Sequence, residues 1–519
     1  MGEAFLIGLQ SIMTIPCILC MFAGVFVGII FGCIPGLSAT MALAMFLPVT
    51  YAMGTIQGIV LLVSLYIGGI SGGLISAILT GIPGTPSSVA TCFDGWPLTQ
   101  KGKGVKALGV GIVASFAGTI LSTIVLIFLS PFLASIAIKF GPYEYFAVAV
   151  FSLTMMSGLS SGNIWKGLIS GLCGCIFATV GIDSISGVQR FTLGSRMLSN
   201  GFNILPVLIG IFAVAEIAGR AAKVNIETPN NSIKISMKDV KGFGFSLAEA
   251  KTQLKNFFLC SMIGTGIGIL PGIGGGAANV LAYSVSKASC NRKHHMNDDI
   301  AGSGEDYGTG VIDGVVASES SNNAAIGGAL VPLLALGIPG DTVTAMLLGG
   351  LTLHGVTPGP LMFSEHVDIV YAVFLTMIIG TIIMLFMEFY GLRLFALLLG
   401  IPMYFLLPAI FLYCVVGSYG VRNNLFDVIT LIIFGIVGFV FSQFKIPSAP
   451  FILGFLIGPL METNLRRGLM FASGDFRVFF KQPIADVFFL AALISLSFSF
   501  RASIRKSRGV KRNKYDVDE

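Results

Sequence analysis

The chain has 519 residues, 55% apolar and only 11% charged, with 31 Lys and Arg against 25 Asp and Glu for a net charge of +6. Soluble domains carry about 25% charged residues, so this composition, with a mean hydropathy of +0.89, excludes an ordinary soluble enzyme and points to an all-α polytopic membrane protein. The positive charge gathers in residues 220–256 and 501–519, each with seven Lys or Arg against three acids, rather than on one basic face. That excludes a nucleic-acid partner and reads both segments as cytoplasmic.

In chain order, apolar segments are predicted at roughly 11–34, 55–79, 107–138, 143–160, 164–182 and 203–219 in the first half. In the second half they fall at roughly 257–289, 315–338, 367–389, 394–417, 427–443, 449–461 and 484–500. A hydrocarbon core needs about 20 apolar residues per helix, so about 10 to 14 spans are expected, and 449–461 is too short to cross alone. No Lys or Arg precedes Lys101, so the first span lacks the basic start of a cleaved signal and is expected to be retained. The domain reading is 1–220 as a first repeat half, 221–256 as a basic cytoplasmic linker, 257–500 as a second repeat half and 501–519 as a basic tail. The nine cysteines sit mostly in apolar spans and read as small core residues.

The halves repeat each other. Gly28-x-x-x-Gly32-x-x-Pro35-Gly36 is matched by Gly264-x-x-x-Gly268-x-x-Pro271-Gly272, and Gly81-Ile82-Pro83-Gly84 by Gly337-Ile338-Pro339-Gly340. Lys101, Lys103 and Lys106 follow the first Gly-Ile-Pro-Gly, whereas Glu365 and Asp368 follow the second. Opposite charge at equivalent loops predicts two inverted-topology repeats, whose substrate site lies where corresponding helices are interrupted. Pro-Gly ends a helix and frees backbone N–H and C=O groups, which are tolerated at membrane depth only where protein or a water-filled cavity receives them. Broken or re-entrant helices are therefore expected at Pro35, Pro83, Pro271 and Pro339.

Polar neighbours of these breaks suggest an anionic ligand, because hydroxyls and helix N-terminal N–H groups bind a carboxylate without a buried lysine. The substrate-binding candidates are Pro35, Gly36, Ser38, Thr40, Gly84, Thr85, Ser87, Ser88, Pro271, Gly272, Gly340, Asp341 and Thr342. Ser318 to Asn323 concentrates carboxyl, amide and hydroxyl groups between apolar stretches. Glu319 could carry a proton, and Asn322 with Asn323 offers oxygens suited to Na⁺. Asp94 is read either as a further coupling-ion residue or as an interfacial turn or helix cap. No cofactor is expected beyond Na⁺ or H⁺ as coupling ion.

Signals for an enzyme are weak. Gly158-Leu159-Ser160-Ser161-Gly162 fits a hydrolase pattern that also requires a strand-to-helix elbow and triad partners, so an intramembrane hydrolase using Ser160 stands only as an alternative. A scaffold that transports nothing is another. The histidines His294, His295, His354 and His366 lack zincin spacing, and Gly272 to Gly276 lacks a phosphate-binding pattern.

As a set, Pro35 to Thr40, Gly81 to Ser88 with Asp94-Gly95, Glu319 to Ala324, Gly337 to Gly340, His354-Gly355 and Pro358-Gly359-Pro360 resemble the large integral-membrane subunit of the tripartite tricarboxylate transporter family. The resemblance covers nearly the whole chain. Ser320-Ser321 departs from it, since small residues such as alanine are expected before the Asn pair. The resemblance implies a multi-pass secondary transporter of the bacterial inner membrane that takes up di- and tricarboxylates of the citrate type. It also implies a Na⁺ or H⁺ gradient, a periplasmic solute-binding protein and a small membrane subunit as partners. A homodimer stays open, as does the particular carboxylate.

Overall fold

A computed structural model describes residues 2–159, 164–183, 185–222, 243–244, 246–291, 299–401, 403–497 and 500. Ser160, His294, His295, the 501–519 tail and most of the 221–256 linker lie outside the described residues. The fold is all-α apart from one two-residue antiparallel pairing, Gly181 with Arg190 and Ile182 with Gln189. Seven described helices are long and apolar enough to cross a membrane, and five shorter apolar helices accompany them.

The chain forms two compact units, and each draws on both sequence halves. The smaller comprises 136–219 and 422–519. Its core is aromatic, with Phe434 meeting Phe177 at 5.2 Å and Phe202 at 5.1 Å between ring centroids. The apolar stretch read at 449–461 belongs to a longer helix, Ser448–Phe471. The polar continuation was illegible as a span because Glu462 and Arg466 interrupt it, yet both are engaged: Arg190 reaches Glu462 at 2.6 Å and Arg466 reaches Asp183 at 2.7 Å. Hydrogen bonds from Ser186, then Arg466, hold the Asp183 carboxyl well below the usual range.

The larger unit, 1–135 with 220–421, contains both sets of Pro-Gly motifs. Its main helices are α1 (Ile15–Cys33), α2 (Ala39–Thr50), α3 (Thr55–Thr80), α4 (Thr91–Gln100) and α5 (Gly104–Ala137) in the first half. The second half supplies α6 (Leu254–Ile269), α7 (Gly274–Ser289), α8 (Ile312–Leu336), α9 (Thr342–Leu353) and α10 (Val367–Leu398).

Both halves break a helix at Pro-Gly. Pro35-Gly36 separates α1 from α2 and Pro271-Gly272 separates α6 from α7, with Gly36 at φ +100° and Gly272 at φ +81°, a region L side chains rarely adopt. The two pieces of each pair form a hairpin. Ser286 at the end of α7 donates to Asn256 near the start of α6 at 2.7 Å, so the chain returns to the level it left. Beside each hairpin runs one long helix, α3 with a turn at Gly72 and α8 without a break, and glycine lets the backbones touch. A Cβ on Gly28 would lie 2.6 Å from the Leu65 carbonyl oxygen of α3, and one on Gly268 would lie 2.6 Å from the Ala325 carbonyl oxygen of α8. Such close approach is how membrane helices gain packing and weak polar contact without a hydrophobic drive between them.

These two long helices run in opposite directions. Gly58 at the start of α3 abuts the His354 ring, and Gly337 at the end of α8 abuts the Pro358 carbonyl, so both meet the loop after α9. At their other ends, Ile78 of α3 and Val315 of α8 lie together beside Gly111 of α5, 3.4 and 3.5 Å from the place a Cβ would take there.

Candidate functional site

The sequence ends α3 and α8 identically, with Gly81 and Gly337 in the left-handed conformation at φ +71° and +72°. After each, Ile-Pro-Gly carries the chain back toward a hairpin tip. Gly84 packs against the Gly32 carbonyl and Gly340 against the Gly268 carbonyl, so the Gly-Ile-Pro-Gly segment closes over its own broken hairpin. The Gly272 N–H donates to the Gly340 carbonyl at 2.6 Å, which engages part of the backbone that Pro271 frees.

The new helices that start here are capped by the residues singled out in the sequence. Ser38 accepts from the Met41 N–H at 3.2 Å, and Asp341 accepts from the Thr344 N–H at 2.7 Å. Thr85 and Ser87 hydroxyls pair at 3.0 Å, and Ser88 donates back to the Thr85 carbonyl. An N-cap satisfies one orphan donor of the first turn and leaves others pointing outward, where the helix dipole favours negative charge.

The halves meet through contacts that recur with their roles exchanged. Thr40 of the first tip pairs with Thr342 of the second at 3.1 Å. In the equivalent place with halves swapped, Gly276 lies against the Pro86 carbonyl. The Tyr66 hydroxyl of α3 donates to Asp341 at 2.6 Å, and its repeat counterpart Asn322 of α8 lies beside Gly275 and Ser87. Substrate-binding candidates from both halves are therefore brought to one locus.

Ser318 to Asn323 occupy the buried middle of α8. Glu319 accepts from Thr91, from Ser115 at 3.1 Å and from Asn323 at 3.3 Å, all uncharged donors. The Asn323 amide also donates to Ser115 at 2.8 Å, whereas among the described residues its oxygen has no partner and Asn322, set near Glu319, has no well-formed hydrogen bond. A buried amide without well-formed hydrogen bonds costs about 1–3 kcal/mol, so Asn322 stands to gain from a polar ligand. The hydroxyls of Ser320 and Ser321 return to the carbonyls of Val316 and Ala317. Gly118 and Gly264 press on their backbone, so what these positions require is small size, and serine meets it as alanine would.

Asp94 lies apart from the tips. It contacts Gly314, about 12 Å along α8 from Asn322 at 1.5 Å per residue. Its carboxylate accepts from the N–H groups of Gly308, Gly310 and Val311 at 2.8–3.0 Å and from Tyr283 at 2.8 Å, tying down the segment that leads into α8.

Sequence reasoning passed over Tyr66, Asn279 and Ser115. Asn279 of α7 is fully buried, accepts from the Ala90 N–H at 2.7 Å and donates to the Ser318 carbonyl at 3.1 Å. A lone amide in a glycine-rich helix start was its available signal. Cavities open at both hairpin mouths. One of about 480 Å³ beside α1 and α3 is lined by Thr14, Gln57, His354, His366 and Asp368, and one of about 140 Å³ beside α6 and α8 by Lys255, Asn256, Tyr307 and Asp313. Only the first falls in the few-hundred-Å³ range of small-molecule pockets.

Residues 18–453 match the Tripartite tricarboxylate transporter TctA family. A protein of Agrobacterium vitis described as an uncharacterized 52.8 kDa protein in the TAR-I ttuC' 3'region is 33% identical over 99% of this chain and 98% of its own length. A second from the same organism, an uncharacterized protein in the TAR-II ttuC' 3'region, is 35% identical over 47% of this chain and 97% of its own length. No solved structure matches the chain. The chain belongs to the TctA family of tripartite tricarboxylate transporters, a family of membrane transport components.

Proposed function

We propose that this TctA-family protein carries small di- or tricarboxylates of the citrate type through the bacterial inner membrane, driven by a Na⁺ or H⁺ gradient. A periplasmic solute-binding protein delivers the solute, and a small membrane subunit completes the assembly. The observation that carries the reading is the meeting of the broken segments of the two halves, with Thr40 against Thr342 and Gly276 against the Pro86 carbonyl. Interrupted helices meeting inside a helical membrane unit are where secondary transporters hold substrate and ion.

The solute carboxylates take the starts of α2 and α9 and the hydroxyls of Ser38, Thr40, Thr85, Ser87 and Thr342. Asn322, Asn323 and Glu319 face the coupling ion. The halves are inverted repeats, a reading supported by the opposite courses of α3 and α8. Charge supports it as well. Lys103 and Lys106 ring the end where α8 begins, paired with Asp299 and Glu249, while His366 and Asp368 line the cavity at the other end. The lysine-rich end faces the cytoplasm. Alternating access follows when one repeat rocks against the other around the tips.

The test is uptake of radiolabelled citrate into proteoliposomes holding this chain, its small partner and the matching binding protein, under an imposed Na⁺ or pH gradient. Uptake that collapses when one gradient is removed supports the reading and names the ion. Absence of uptake under every gradient, with insertion verified, overturns the carboxylate assignment.

A further inference from the structure

Glu388 of α10 is completely buried, and neither the repeat motifs nor the tip contacts use it. Its Oε2 accepts from the Ser71 hydroxyl of α3 at 2.9 Å, and its Oε1 has no hydrogen-bond partner among the described residues. The same Ser71 hydroxyl also lies 3.2 Å from the Met384 sulfur, one turn earlier on α10. Ser71 has one proton and two acceptors for it.

We propose that Glu388 is a proton-binding site whose charged and neutral forms are both served by Ser71, and that its state is passed to the first broken hairpin. In the charged form Ser71 donates to Oε2. When a proton from the aqueous phase binds, one O–H bond forms at Oε2 as one O–H bond of hydronium breaks and releases water. The new O–H donates to the Ser71 oxygen, and the Ser71 proton turns to the Met384 sulfur. Every donor keeps an acceptor in both states, which is what a reversible buried acid requires. Ionisable residues inside a membrane domain are expensive and typically mark ion pathways.

The connection to the hairpin is short. Two residues after Ser71, Gly73 packs against the Thr85 and Ser88 hydroxyls, and Gly72 packs against the backbone of Ile29 in α1. On the other side, the Cys33 thiol donates to the Phe395 carbonyl of α10 at 3.5 Å, directly before the Pro35 break. On α10 itself Tyr390 and Arg393 are exposed, Phe389 meets Phe243, and the Gly2–Ile12 helix packs at the far end around Tyr371. The functional consequence rests on the carrier reading above, whereas the protonation site does not.

Infrared difference spectra of the purified protein, stepped in pH, test the site. Wild type should show the C=O stretch of a protonated buried carboxyl that E388Q removes and S71A shifts in frequency without removing. The same assembly in proteoliposomes with a trapped pH dye should lose citrate-dependent proton entry in E388Q. An unchanged band in E388Q, a band indifferent to S71A, or intact proton entry overturns the proposal. E388D, expected to keep a displaced band, serves if the glutamine variant does not fold. Wild type that moves no citrate would overturn the carboxylate reading alone, and the infrared result would still decide Glu388.

Discussion

The Tyr66 hydroxyl and the Asp341 carboxylate, 275 positions apart, are joined by a 2.6 Å hydrogen bond between the through-helix of one half and the helix cap of the other. Asp341 uses its other oxygen to cap α9, so the tyrosine fixes where that cap stands relative to the first half. Tyr66→Phe keeps the ring and removes the bond, at a cost of about 1.5–3 kcal/mol for a hydrogen bond to a charged group. Thermal unfolding in detergent should show the loss, and citrate uptake should fall further than the stability change explains. Wild-type uptake in the variant would show that the cap needs no cross-repeat anchor.

Asn322 and Asn323 should separate by their effects on stability. Asn323→Ala removes donors to Ser115 and Glu319 and is expected to destabilise by about 1–2 kcal/mol. Asn322→Ala removes an amide that has no well-formed hydrogen bond among the described residues and should leave stability level or slightly raised. Replacing both is expected to abolish uptake while insertion persists. Uptake at the wild-type rate in the double variant would refute the coupling-ion assignment.

The breaks at Pro35, Pro83, Pro271 and Pro339 were legible because proline and glycine act on their own backbone, and the repeat spacing marked them as paired. The place of Glu319 and Asn323 between apolar stretches was legible, but their burial inside α8 was not, because the same stretch reads equally as an exposed loop. What meets across the halves was not. Tyr66 sits in the apolar run Leu61 to Ile67, where one hydroxyl barely alters hydropathy, and its role depends on Asp341, far along the chain. Ser115 and Asn279 look like ordinary small polar residues until α5 and α7 are placed beside α8. Asp94 was left between two readings because its four donors come from Gly308 to Val311 and Tyr283, which no local pattern connects to it.

Two neighbouring glycines of α6 should respond in opposite directions. Gly268 presses on α8, so Gly268→Ala forces the backbones apart and should cost about 1–3 kcal/mol, as overpacking does. Gly266 has nothing within 4 Å of the added methyl, so Gly266→Ala should be neutral or stabilising by up to about 1 kcal/mol through helix propensity. Unfolding temperatures of the two variants check the pair. Equal losses would mean that close approach at Gly268 is not what the hairpin requires.

Asp94→Ala would strand three backbone N–H groups and the Tyr283 hydroxyl, and should destabilise by about 2 kcal/mol or more. Asp94→Asn retains an oxygen for the N–H groups and should recover most of that stability. Uptake by the asparagine variant then separates the two roles: near-normal transport fits a clamp for the approach to α8, and loss of transport with intact folding fits a coupling-ion residue.

Acid should loosen the end of the molecule where α8 begins. Burial alone would raise the Asp299 carboxyl, but hydrogen bonds and charge from Lys103 at 2.5 Å and Lys106 at 2.8 Å outweigh it and hold the group below its ordinary range. A carboxyl lowered in the folded state contributes stability that is fully present above its unfolded value and is lost as pH falls through the folded one. Lys103 is 43% exposed and screened by solvent, whereas Lys106 is 19% exposed. Asp299→Asn should therefore cost between the ~1 kcal/mol of an exposed pair and the ~3 kcal/mol of a buried one. Unfolding followed from neutral to acidic pH should show a decline in wild type that is shallower in the variant. Equal slopes would mean that Asp299 titrates alike in both states, and Lys106 would then be held chiefly by Glu249.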